Sequence, residues 1–365
     1  MEPEIRVDAS TAAGVKFAEI SDFLELNSLV KVNVAGALKM ILRGDHPVLA
    51  SLENNSHIEL YYKYSGKSWT KFFGGLYRSQ ERTQPKEPYF ALTAVGYLAL
   101  LRMRIVAYPA LVANKTYFSA AKAETIMKSL VTANITSAAT TANGRIRNGT
   151  NWPATVISIA ADGAGGSTQE WYCAQENLLE TLQKLAATAV GDFDLVKTAA
   201  NVFEFRFYAG QLGTNRTGSV VFSLGHGNMR DPIYSYNRLN EATAAIVGGQ
   251  GEASAREFVV RTGTDHAAEN DIEVFVPATD VESGNTAGLD SAGDSMLEER
   301  RARETFSFKV LQTPAVRFGS EYFLGDLVTA VNPYTGASLN QKIVGVTLNY
   351  SKDGAPDFTI ETETP

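Results

Sequence analysis

Side chains able to act as nucleophiles, acid–base groups or metal ligands are few in this chain and widely scattered. The four histidines are His46, His57, His226 and His266, and no two have the spacing that places a pair of imidazoles on one metal. There is no His-Glu-x-x-His run and no Gly-x-Ser-x-Gly elbow. The single cysteine, Cys173, paired with a distant histidine, would give the thiol–imidazole chemistry of a cell-wall peptidase. It follows Trp171-Tyr172 directly before a packing helix, a setting where cysteine usually serves as a small buried apolar residue. Asp192 and Asp194 flank Phe193 at the start of a strand, and a polar turn accounts for them as well as acid–base work does. Asp280, Glu282, Asp290 and Asp294 have the charge for calcium, but their spacing fits no EF-hand loop. Gly66-Lys67-Ser68 resembles the end of a phosphate loop, yet Tyr61 and Tyr62 occupy the region of its upstream glycine. Gly163, Gly165 and Gly166 lack the dinucleotide-binding spacing. The expectation is a protein with no catalytic, cofactor or metal site.

Composition is that of an ordinary soluble globular protein large enough for two or three cores. The 365 residues carry a net charge of -7, against a surface built to grip nucleic-acid phosphates, while an acidic wall still lets DNA pass without adhering. One cysteine makes neither an internal disulfide nor a zinc cluster, so stability must come from burial and subunit contacts. The opening MEPEIRVDAS has no basic and apolar leader pattern, and no apolar run approaches the roughly 20 residues that cross a bilayer. An aqueous compartment is expected. Aromatic residues make up 10% of the chain and alternate along strands, which marks them as core; an exposed row would instead suit a carbohydrate-binding module.

The elements follow from periodicity. Trp69 to Tyr77 and Tyr89 to Ala94 read as a hairpin with a possible bulge at Gly74-Gly75 and a charged loop holding Pro85 and Pro88. Val95, Leu98 and Leu101 then change the period to that of a short helix. Phe17 to Leu26, Ser28 to Val34 and Ile58 to Tyr64 read as strands, and Ala35 to Arg43 as a helix start weakened by Gly36 and Gly44. The centre supplies a helix at Ala120 to Val131 capped by Ser119, a loop at Asn134 to Thr150, a helix at Gln175 to Val190, and a hairpin from Phe193 to Lys197 and Val202 to Tyr208. Beyond Ser219 to Leu224, the strands Thr243 to Val247 and Arg256 to Arg261 flank a GGQGEAS tip expected to need positive φ at several glycines. Ile272 to Pro277 reads as a strand, Ala278 to Asp294 as a glycine-rich acidic loop, and Ser295 to Arg303 as a charged helix. The strands Thr305 to Gln312, Asp326 to Val331, Lys342 to Tyr350 and Asp357 to Glu363 close the chain, and their spacing favours a small antiparallel barrel.

Several stretches together resemble one family, the tail hub or tail-associated proteins of long-tailed bacteriophages, related in fold to the baseplate hub of contractile phages. They are Phe73-Gly74-Gly75 with Leu100-Leu101-Arg102, Asn177-Leu178-Leu179-Glu180 leading to Val202 to Tyr208, Val221-Phe222-Ser223 with Gly227-Asn228-Met229, and Gly248-Gly249-Gln250-Gly251-Glu252 before Arg256. Their order spans about Phe73 to Glu363. The resemblance implies an α+β, mainly β fold with two antiparallel β-barrel-like hub domains and an inserted α/β module. The divisions expected are 1–110, 111–218 and 219–365, the last with an acidic loop and helix insertion at about 264–303. It further implies a homotrimer of pseudo-sixfold symmetry at the tail tip of the virion, assembled in the host cytoplasm. The implied partners are the distal tail protein, the tape-measure protein, tail-tip, spike or receptor-binding proteins, and genomic DNA in transit. Many relatives continue into a peptidoglycan hydrolase or receptor-binding part; here the last strand is followed at once by Pro365, so such activity is expected from another polypeptide. Backbone roles are expected for Gly74, Gly75, Gly248, Gly249 and Gly251, and subunit contacts for Phe72, Phe73 and Tyr77 on one barrel and Val344, Val346 and Tyr350 on the other. The alternatives are a tail-borne cell-wall hydrolase and a carbohydrate-binding tail module.

Overall fold

The computed structural model describes residues 3–83, 88–149, 156–311, 313, 315–352 and 354–364. The Pro85 portion of the expected charged loop, and Thr150 and Gln312 at the ends of other expected segments, lie outside them. The first part holds β1 (Glu4–Ser10), β2 (Lys16–Ile20), β3 (Glu25–Lys31), β4 (Val34–Arg43), β5 (His57–Lys63), β6 (Thr70–Arg82), β7 (Tyr89–Gly96) and the single turn α1 (Ala99–Arg102). The central part holds β8 (Tyr117–Lys122), α2 (Ala123–Ile135), β9 (Ile157–Ile159), β10 (Thr168–Tyr172), α3 (Leu178–Ala189), β11 (Gly191–Ala199) and β12 (Val202–Ala209). The last part holds β13 (Val221–Phe222), β14 (Met229–Asn237), β15 (Ala244–Gly248), β16 (Phe258–Thr262), β17 (Glu273–Pro277), α4 (Thr286–Glu299), β18 (Arg303–Val310), β19 (Leu327–Val331), β20 (Ser338–Ser351) and β21 (Asp357–Glu363).

Strands from both ends of the chain share one sheet, ordered β14-β18-β21-β20-β3-β4-β7-β6-β5-β1-β2, with β19 beside β20 and β13 beside β19. Within it a five-strand pattern occurs twice. In β3-β4-β7-β6-β5 the neighbours are the first, second, fifth, fourth and third strands of the set in chain order, all antiparallel. The set β14-β18-β21-β20-β19 repeats that order and those directions. The two sets meet where β20 pairs with β3, from Gly345 opposite Lys31 to Ser351 opposite Glu25. The ladders are open: among the described residues no strand pairing closes either set into a separate barrel.

Alternation explains why these residues extend. In β4, Leu38, Met40 and Leu42 are buried while Ala37, Lys39 and Arg43 are exposed. The helix start expected at Ala35 to Arg43 is therefore a strand: this period of two buries a full apolar face against β3 and β7. Both sets feed one core, in which Tyr62 of β5 lies edge-on to Phe358 of β21 with ring centroids 5.9 Å apart, and Phe318 contacts both rings. Each such buried ring contributes roughly 2–3 kcal/mol of burial free energy.

The central part packs α2 and α3 on the sheet β11-β12-β9 through Ile126, Leu130, Leu182, Leu185, Phe193, Phe203 and Phe205. Asn177 caps α3 by accepting from the amides of Leu179 and Glu180, and Val190 ends it in a left-handed conformation. The expected cap at Ser119 is corrected. That residue lies in β8 and donates to Glu170, and α2 begins four residues later at Ala123 with no side-chain cap. Between β14 and β18 the chain makes an excursion, over 238–302, that forms the sheet β16-β15-β17 under α4. Part of the expected acidic loop is helix, because Asp290 and Asp294 on α4 face Arg261 of β16, at 3.8 and 2.8 Å.

Candidate functional surface

The groups with chemical potential are occupied in structural work. Cys173 lies in the apolar core of the central part, and burial pushes its thiol up, away from the thiolate a nucleophile needs. Asp192 accepts from the Leu212 amide at 2.7 Å and the Asn33 side chain at 3.0 Å, and it pairs with Lys342 at 2.7 Å, so it ties β11 to β20. Asp194 lines a groove of about 550 Å³ together with Lys71, Lys197 and Arg216, and burial raises its carboxyl. The cations of that groove are engaged: Lys71 and Lys197 by Glu59 at 3.5 and 3.1 Å, Arg216 by Asp326 at 2.6 Å. His46 accepts the Val48 amide and meets Asp22 at 3.0 Å, which makes it a turn cap. Among the described residues no cluster of three or more His, Cys, Asp or Glu can hold a metal ion.

His57 is the one buried histidine. Its Nδ1 lies 3.0 Å from the Tyr97 hydroxyl, which also donates to Glu59. Burial, reinforced by the charge of Lys197, pushes the ring down to about 4. The unfolded chain therefore binds more protons than the fold between about pH 6.5 and 4, and stability falls as pH drops through that window. The loss from this residue is expected to be at most about 3 kcal/mol. Urea midpoints of the wild type and His57→Gln at pH 7 and pH 4.5 check it: the variant should lose less on acidification.

The sheet's outward face is polar, and its charges are paired across strands. Asn27 donates to Asn349 at 2.5 Å over the β3–β20 junction, Lys31 meets Glu361 at 2.8 Å, and Lys309 lies 3.4 Å from Asp231 and 3.8 Å from Asp357. Such a face offers hydroxyls, amides and neutralised charge in place of a basic stripe.

The long strands change partners along their length. β20 pairs with β19 over Ser338–Lys342, then with β21 over Lys342–Asn349 on one edge and β3 over Gly345–Ser351 on the other. β6 does the same with β5 over Thr70–Leu76 and β7 over Gly75–Arg82. Past Tyr77 its second edge carries no strand among the described residues. β14 is likewise open on one edge and exposes Ile233, Tyr234 and Tyr236. β2 is also open on one side, but Lys16, Glu19 and Asp8 form ion pairs there, a common defence of a bare edge.

Phe72, Phe73, Tyr77 and Val346, expected at subunit contacts, are buried in the chain's own cores, and Val344 and Tyr350 are half-buried. All four pack into the chain's main core, the consecutive Phe72 and Phe73 together because Phe72 is an extra residue in the β5–β6 ladder, while β5, β7, β3 and β21 take up the backbone edges around them. The expected bulge at Gly74-Gly75 is displaced to the neighbours. Phe72 and Arg78 are the extra residues, and both glycines keep regular register. At Gly75 the need is close approach, since a β-carbon would lie 2.5 Å from the Val95 carbonyl oxygen; at Gly74 it would meet the Tyr97 ring at 2.7 Å. In the GGQGEAS tip, of the three glycines only Gly251 has positive φ, +99°. Gly248 instead sits under Arg256 and Phe275, and Gly249 against Leu289 of α4. Gly251→Val is therefore expected to lower stability by about 2 kcal/mol or more, because it adds a strained φ to a contact of 2.4 Å with the Ala255 carbonyl. Gly249→Val, which only displaces Leu289, should lower it less; urea unfolding of the two variants compares them.

This fold, a doubled five-strand set in one sheet with a central α/β part, is shared with solved phage and prophage tail proteins. The chain matches the 43 kDa tail protein of prophage MuSo2 from Shewanella oneidensis with a TM-score of 0.58 at 12% identity, covering 99% of this chain and 98% of that one. It matches the tail protein from Neisseria meningitidis MC58 with a TM-score of 0.57 at 11% identity, over 100% and 97% of the two chains. It also matches a chain of the half-lidded Francisella PdpA-VgrG complex with a TM-score of 0.53 at 10% identity, over 100% of this chain and 58% of that one. No curated protein sequence matches. The chain belongs to the Siphovirus ReqiPepy6 Gp37-like protein family, whose model matches residues 17–362. It is a bacteriophage tail protein. No helix among the described residues is long and apolar enough to cross a membrane.

Proposed function

We propose that this protein is the structural hub of the tail tip, a homotrimeric ring that joins the tail tube and distal tail ring to the tip and lines the path of DNA ejection. The observation that carries this is the doubled strand order. A chain with two equivalent five-strand sets supplies two of six equivalent positions, so three chains match a sixfold tube above while keeping threefold symmetry below. We take residues 1–110 and 219–365 as the two hub units and 111–218 as the module outside the ring. The outward polar face, with its paired charges, suits a wall along which a polyanion moves without being held. The ring's neighbours would be the distal tail protein, the tape-measure protein, and the spike or receptor-binding proteins; its place is the virion, after assembly in the host cytoplasm.

The protein acts in this reading by shape, without a catalytic role. A cell-wall hydrolase would need Cys173 or a carboxylate pair in an open cleft with a histidine; the buried thiol and the lysine-bound Asp192 give that alternative no support. Mass photometry of the purified 39.5 kDa chain, followed by negative-stain imaging, tests the proposal. The expected result is a threefold ring with a central hole. A monomer or a solid particle would refute it, and clearing of host cell wall in a zymogram would favour the hydrolase.

A further inference from the structure

Comparing the two strand sets shows one place filled in the first junction and empty in the second. The edge of β20 beyond its β19 partner is taken by β3, the first strand of the other set. The corresponding edge of β6, beyond its β5 partner, is Ser79–Arg82, and it has no strand among the described residues. The strand that would occupy it by the same rule is the first strand of the other set, β14, whose outer edge is also open. Within one chain these two edges are the two ends of the eight-strand run from β14 to β6, and no pairing joins them among the described residues.

We infer that β14 of one copy of this chain pairs with the Ser79–Arg82 edge of β6 in the next copy, repeating between subunits the β20–β3 junction found inside each. The inference rests on the ring reading above and names the surfaces that close the ring. Strand directions agree. The eight strands alternate, so β14 and β6 point opposite ways, and a neighbour placed by rotation about the ring axis meets β6 antiparallel, as β3 meets β20. The charges agree as well. Aligning the end of β6 with the start of β14, as the end of β20 aligns with the start of β3, brings Glu81 beside Arg230, just ahead of the bulge where Asp231 has a φ of +50°. Each copy uses each edge once, so the contact is head-to-tail and closes when the rotation completes a circle.

The test combines cross-linking with a charge swap in the full chain. A Glu81→Cys/Arg230→Cys variant treated with a short bis-maleimide should run as a covalently closed trimer, while a Glu19→Cys/Arg230→Cys control should stay uncoupled. Cys173 is buried with its thiol raised and should not compete. In parallel, Arg230→Glu should weaken trimer formation at least tenfold, and adding Glu81→Arg should restore it. Trimers in mass photometry with no Glu81–Arg230 coupling and no rescue would overturn this edge assignment and leave the ring reading standing. Coupling through position 19 would overturn it in favour of the β2 edge. A chain that remains monomeric at the highest attainable concentration would overturn both.

Discussion

Asp326→Ala is expected to lower the stability of the folded chain by about 3–4 kcal/mol, visible as a large drop in urea midpoint with an unchanged slope. The carboxylate is buried just ahead of β19, where four donors converge on it, the weakest being the Thr214 hydroxyl at 3.4 Å. It accepts from the Thr214 amide at 2.7 Å, the Phe323 amide at 2.8 Å and the Arg216 guanidinium at 2.6 Å. Alanine orphans two backbone amides and leaves the guanidinium without its counter-charge. Arg216 is 31% exposed, so water recovers part of the loss and holds the figure below the upper end for a fully buried pair. Asp326→Asn keeps one acceptor in place and should cost clearly less. An equal loss in both variants would mean that the charge, and not the convergence of donors, is what matters at this site.

Gly75→Val should be still more damaging, leaving little soluble protein. Gly75 of β6 stands opposite Gly96 of β7, and the Gly96 position in turn lies against the Gly36 backbone of β4. Three adjacent strands thus meet through bare backbone. A β-carbon at position 75 would lie 2.5 Å from the Val95 carbonyl oxygen and 2.6 Å from the Phe73 ring, and a valine adds two methyls beyond it. Relief requires parting β6 from β7, which breaks their ladder and opens the core behind Phe73. Overpacking of this order costs about 3 kcal/mol or more. The comparison variant is Gly66→Val, in a turn where a β-carbon meets nothing within 4 Å and only a φ of +75° opposes the side chain. It should lose about 1–2 kcal/mol and stay soluble. Soluble yield and melting temperature of the two proteins side by side decide the matter.

Strands whose faces alternate cleanly were legible in the sequence. Ile58 to Tyr64, Val202 to Tyr208 and Asp357 to Glu363 all lie in strands close to their expected limits, and the Leu178, Leu182, Leu185 stripe marks α3. Errors arose where local propensity opposed tertiary need. Ala35 to Arg43 has helix-forming residues but is clamped between two strands, and Met229–Asn237 has no alternation because so little of it is covered. The doubled strand order was invisible to sequence reading, since equivalent strands share position and direction but no residue pattern, and one set is interrupted by some sixty residues. Contact residues are hard to read from sequence for a related reason. Large apolar side chains at Phe72, Phe73 and Tyr77 look adhesive in a sequence, but only pairing shows which edges are already spent. The tie made by Asp192 joins residues far apart in the chain and needed coordinates.

The junction between β3 and β20 also sets a timetable for biosynthesis. Asn27 and Asn349 bond across 322 positions, so when β3 leaves the ribosome its eventual neighbour is not yet translated. At about 5–20 residues per second the wait is roughly 15–60 s, far longer than a hairpin needs to form. During that interval the β3–β4 hairpin presents a raw hydrogen-bonding rim on which a second nascent chain could graft. Shielding of that rim until translation is nearly finished should therefore raise the soluble yield, and extra chaperone supply during expression is expected to do so.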